Sequence, residues 1–147
     1  MRKILILFLL GIFFSGCATG LSNLQRRSLQ SKDLDGSFDN VFKANITVLQ
    51  DKGFIIDHTD FKAGIIHAET GVRQMFLSQY KFVITVTLEQ FGENRVRERI
   101  VIIQNAIVSG AFGSKSEFST VYDDPKMLQE IYEQIQKELF VRENLAK

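Results

Sequence analysis

The chain has one cysteine, one proline, two histidines and no tryptophan among 147 residues, and its opposite charges nearly cancel. Each scarcity removes something. A single cysteine, Cys17, is an unpaired thiol in any oxidising space, and it leaves no second sulfur for a thiolate metal site. Without a Gly-x-x-x-x-Gly-Lys sequence there is no loop of the kind that cradles nucleotide phosphates. No serine stands in a nucleophile-elbow motif, so a Ser-His-Asp hydrolase has no signature here. The charge balance argues against a nucleic-acid partner, because phosphates call for a basic surface. With no internal repeat and no low-complexity tract after residue 36, the chain is expected to be ordered to near its end.

Long apolar runs are scarce too. The run Ile4 to Phe14 is too short to span a bilayer. Arg2-Lys3 precedes it and the small residues Ser15-Gly16 follow, which is the layout of a secretory signal. The ending Phe14-Ser15-Gly16-Cys17 resembles the bacterial lipobox, in which the cysteine is acylated and the leader is cut in front of it. That resemblance implies a signal peptide over residues 1–16 and a lipid on Cys17. Acylation would also remove the stray thiol, and each buried methylene adds roughly 0.8 kcal/mol of membrane affinity. Ala18 follows the cysteine where an aspartate would imply inner-membrane retention. By the same resemblance the chain goes to the outer membrane, facing the periplasm.

Removing the 16-residue leader leaves 131 residues, which is one domain, with 16 basic against 17 acidic side chains. Residues 17–36 are polar with sparse apolar positions, and they read as a flexible tether between lipid and domain. Arg26-Arg27 within it suits either a solvated linker or contact with anionic head groups. Part of the segment could also lie along the domain as an edge strand.

The folded part, 37–147, opens with a helix over Phe38–Lys52. Ser37 caps it, Gly53 stops it, and Phe38, Val41, Phe42, Asn45, Ile46 and Leu49 form its apolar stripe. Two β-rich runs follow, paired as a hairpin with Phe54, Ile56, Ile66 and Ala68 facing the core. The second hairpin is clearer. Alternation along Tyr80–Glu89 and Val96–Ile103 sets Val86 against Ile100, Ile84 against Ile102 and Glu89 against Arg97. A three-residue loop at Gly92-Glu93-Asn94 would put Phe91 opposite Arg95. The run Glu117–Tyr122 supplies a fifth strand. Asp124 then caps a last helix with Pro125 at its first position, Leu128, Ile131, Tyr132, Ile135 and Leu139 as buried stripe, and Phe140 flanking it. The expected architecture is α+β: an antiparallel sheet of four to five strands with two helices on one face.

Val83, Val101 and Ile103 fall together on the face away from those helices, where polar residues are the rule. Either the tether or a loop covers them, or a partner chain does. Met75-Phe76-Leu77, in the connection between hairpins, and Ala106-Ile107-Val108 with Phe112, in a loop after the fourth strand, either close the end of the core or serve as contact surfaces. His58 and His67 have Asp57, Asp60 and Glu69 nearby, but simple alternation places the histidines on opposite faces. No metal site and no cofactor are expected.

The stretch Val41-Phe42-Lys43-Ala44, Val48 through Ile56 and Gly64-Ile65-Ile66-His67-Ala68 is similar to a group of small bacterial outer-membrane lipoproteins. Their domains look like the helix-grip modules of the BamC lipoprotein of the β-barrel assembly machinery. Asp124-Pro125, Ile131-Tyr132 and Leu139-Phe140 fit the same group. The resemblance covers roughly Phe38 to Val141. It implies a helix-grip-like fold and a non-catalytic, protein-contacting role, and carries over no functional residue. The expected function is therefore that of a non-enzymatic outer-membrane lipoprotein binding another envelope protein. The alternative is a carrier or sensor of a small apolar, lipid-like ligand held between helices and sheet.

Overall fold

The computed structural model describes residues 22–75, 78–110 and 114–145. The leader, Cys17, Phe76 and Phe112 lie outside the described residues. The first element is a helix, α1 (Asn23–Gln30), followed at once by the strand β1 (Ser31–Asp35). Ser22 Oγ accepts from the Gln25 N–H at 3.3 Å and Gln25 Oε1 accepts from the Ser22 N–H at 2.9 Å, closing a capping box. From Asn23 onward, then, the segment read as a tether over residues 17–36 is part of the fold. Its order comes from the buried Leu34, from pairing of Ser31–Asp35 with Arg95–Arg99, and from distant polar partners. The Tyr132 hydroxyl donates to the Gln30 carbonyl at 2.6 Å, and Gln30 Nε2 donates to Asp123 at 3.3 Å.

Helix α2 (Phe38–Asp51) is capped by the Ser37 hydroxyl and released at Gly53, whose φ of 81° lies in the left-handed region. Its inward side is Val41, Phe42, Ala44, Asn45, Val48 and Leu49. The hairpin of β2 (Phe54–Asp60) and β3 (Ile65–Thr70) turns at Gly64, φ 68°. A side chain at Gly64 would collide with the Leu88 carbonyl oxygen, so the turn can close against that residue only with glycine there.

A short β4 (Arg73–Met75) occupies the connection expected to be loop, and pairs with the start of β5 (Ser78–Gly92). β5 and β6 (Arg95–Ser109) form a long hairpin in the anticipated register: Val86 faces Ile100, Ile84 faces Ile102 and Glu89 faces Arg97. The turn is tighter than expected. Gly92, not Phe91, faces Arg95, and Phe91 is bulged out of the ladder between them. Ala106, Ile107 and Val108 belong to β6 itself rather than to a loop. Strand β7 (Lys115–Val121) pairs with Ile103–Ser109, and helix α3 (Pro125–Leu145) ends the fold. Asp124 Oδ1 accepts from the Lys126 N–H at 2.9 Å, as a capping aspartate should.

The domain is α+β, with an antiparallel sheet of seven strands and three helices among the described residues. These exceed the four to five strands and two helices expected. The additions are β1, β4 and α1, all short or polar. The order is β2-β3-β5-β6-β1, while β4 extends the sheet on β5 and β7 on β6. Both β1 and β7 use the same edge of β6: β1 along Arg95–Arg99 and β7 along Ile103–Ser109. The long hairpin thus has a near half, covered on one face by α2 and α3, and a far half built from β4, β5, β6 and β7. The core under the helices is fully enclosed around Leu49, Ile66, Ile84, Ile100, Ile131 and Ile135. Each such side chain contributes roughly 1.5–3 kcal/mol by leaving water. Phe140 does not flank that core; it points outward and is 69% exposed.

Candidate binding face

Two features of the sheet stand out chemically, one on each side. On the helix side, Glu98 is completely buried, and burial pushes its carboxyl up to about 8 despite the opposing influence of Asn45 and Lys32. Asn45 Nδ2 is committed to the Val41 carbonyl at 3.0 Å, which fixes the amide so that its buried Oδ1 has no donor. Both Glu98 oxygens also lack a hydrogen-bond partner. Complete burial with no hydrogen-bond partner on either oxygen favours the neutral acid over the carboxylate. Enclosed in this way, Glu98 is out of reach of a substrate.

On the opposite face the register brings three of the anticipated residues together. Val83 faces Ile103 across β5–β6, and Val101 follows two positions along β6, opposite Thr85. All three are half-buried. Pairing of Ile103 with Val121 extends the row onto β7, so Val83, Ile103 and Val121 cross three adjacent strands. Val121, 42% exposed, was missed because its place depends on β6–β7 pairing, which no local alternation in β7 announces. Polar groups frame the row: Lys81 Nζ bonds Glu69 Oε2 at 2.6 Å, and His67 Nδ1 lies 3.1 Å from Thr85 Oγ1.

Met75 does not join this surface. It pairs with Ser78, which shares the parity of Phe82 and Ile84, so it projects on the helix side of the far half and is 61% exposed. There it shares a face with Phe118, 56% exposed, and with an edge-to-face row in which Tyr80–Phe82 and Phe82–Tyr122 centroids are 5.7 and 5.0 Å apart. The far half consequently shows apolar residues on both faces.

The histidines are also rearranged. A bulge between Ile56 and His58 shifts the β2 register, so His58 lies directly opposite His67 on one face instead of on opposite faces. No group of three or more His, Cys, Asp or Glu side chains among the described residues could hold a metal ion. Nor is any described helix long and apolar enough to cross a membrane.

Fold and face define an α+β module with α2 and α3 on one face of the sheet and a half-buried aliphatic row on the other. No protein-family model matches the chain, and a search of curated proteins gives no match either.

Proposed function

We propose that the chain is a non-catalytic lipoprotein, anchored in the outer membrane through Cys17, whose sheet face opposite α2 and α3 binds another protein of the envelope. The observation that carries this reading is the Val83–Ile103–Val121 row, with Val101 beside it, on the face away from α2 and α3. Aliphatic side chains in register across three strands offer a partner a contiguous apolar strip. The lipobox-like ending at Cys17 and the similarity to helix-grip lipoproteins support the same reading. The alternative, an apolar ligand held between helices and sheet, draws no support from that space, where Leu49, Ile66, Ile100 and Ile131 are each fully buried.

The test is affinity purification of the acylated protein from gently solubilised envelope, beside Val101→Lys. A companion that the parent retains and the variant loses, with unchanged thermal unfolding, is the expected result. A parent that purifies alone, or a variant that keeps its companion, would remove the proposal. Fatty-acid labelling of the parent and Cys17→Ser tests the anchor separately.

A further inference from the structure

Where α1 crosses the β6 edge there is an open cleft of about 330 Å³, walled by Arg26, Arg27, Gln30 and Arg99, with Val101 and Val121 as its apolar side. Its charges do not balance. Arg95, Arg97 and Arg99 alternate along one face of β6, and β1 sets Asp35 opposite Arg95 and Asp33 opposite Arg97. The Arg97–Asp33 ion pair closes at 2.8 Å. Opposite Arg99 the neighbouring strands offer only Ser31 and Thr87. Arg26 Nε lies 2.8 Å from Asp123 Oδ2, whereas Arg27 and Arg99 have no ion-pair partner among the described residues. Both guanidinium groups are solvent-exposed, so water and salt screen their mutual repulsion, but two donor forks without an ion-pair partner on one cleft match phosphate oxygens.

The helix that walls the cleft also lies close to Cys17 along the chain. Helix α1 begins at Asn23, six residues after Cys17, so its first turn stands within roughly 20 Å of that residue even with the chain fully extended. Valine walls beside the arginines suit an amphiphile better than a bare anion. We propose that this cleft binds the phosphate group of an anionic membrane lipid, with Arg27 and Arg99 as its principal donors. The choice of a lipid over a soluble phosphate rests on the anchoring at Cys17 proposed above. The phosphate preference does not.

The acylated protein in detergent is titrated with glycerol 3-phosphate, and the arginine Nε–H resonances are followed, with Arg27→Lys and Arg99→Lys as assignments. Saturable shifts at both arginines are expected, with affinity falling about tenfold or more in Arg27→Gln/Arg99→Gln. The equally charged control Arg73→Gln/Arg95→Gln should bind like the parent. Equal loss in both double variants, or no saturation, overturns the site. The protein is then placed in discs of phosphatidylcholine alone, or of phosphatidylcholine and phosphatidylglycerol at about three to one, where the anionic lipid should shift the same resonances. Saturation by glycerol phosphate without a difference between discs overturns the lipid as ligand. Failure of the anchor is read independently, as protein that does not sediment with either disc.

Discussion

Lys32 and Glu98 face each other across the β1–β6 ladder, yet no ion pair joins them. The Lys32 ammonium lies 5.5 Å from the centre of the Tyr132 ring, while the Glu98 carboxyl is sealed beneath. A charge pair that the register permits is thus replaced by a cation over an aromatic ring and a protonated acid in the core.

The first prediction concerns pH. The Glu98 carboxyl titrates near 8 when folded against 4.5 for the free group. Its contribution to stability is therefore complete below 4.5 and is lost as pH rises to about 8, at a slope approaching 1.4 kcal/mol per unit. Glu98→Gln keeps the shape, cannot ionise, and so removes that slope. Urea unfolding at pH 5, 7 and 9 should show parent and variant alike at the acid end, with the variant more stable by several kcal/mol at pH 9. Parallel profiles would contradict the neutral buried acid.

Gly64→Ala and Gly53→Ala should differ. Both glycines have left-handed φ values, which cost a side chain about 1–2 kcal/mol. At Gly53 nothing lies within 4 Å of a new methyl group, so that cost is the whole effect. At Gly64 the methyl would strike the Leu88 carbonyl oxygen, and the destabilisation should exceed that at Gly53 clearly in thermal melts.

Ile100→Ala should cost about 2–5 kcal/mol, since the side chain is fully enclosed. Phe140→Ala, at a position 69% exposed, should leave chemical denaturation unchanged within about 0.5 kcal/mol. A large loss at Phe140 would mean that its ring is covered in solution.

Tyr132→Phe removes the hydroxyl that fastens α1 to α3. It leaves the buried Gln30 carbonyl without its donor, a loss of about 1–3 kcal/mol. Hydrogen exchange of residues 23–35 should accelerate well before that of β5 and β6, whose pairing does not involve this bond. Uniform acceleration would show that α1 and β1 open only with the whole domain.

The parts of the fold legible in the sequence are those in which period and burial agree. In β5 and β6 each core residue is followed by an outward one, and only one register keeps both sets in place, so the pairing of Val86 with Ile100 follows from the sequence. Helix α1 was illegible by that criterion, because it is held by Ser22, Gln25, Gln30 and Asp123 rather than by an apolar stripe. The Ser-x-x-Gln spacing of its capping box was its sole local sign. At His58 the failure has another source. One extra residue in β2 inverts which side every later residue takes, and composition does not mark such a bulge. The Val83–Val101–Ile103 cluster was readable because β5 and β6 are regular. Val121 and Arg99, which extend that surface, acquired meaning only through β7, β1 and α1.

Strands β5 and β6 run uninterrupted from the clamped half of the sheet into the bare half. A load applied to the far end by a bound companion would therefore be carried lengthwise into the helix-backed region. The blade so formed should behave as a stiff lever rather than a swinging flap, and an object gripped at its tip would be held at a set distance from its base.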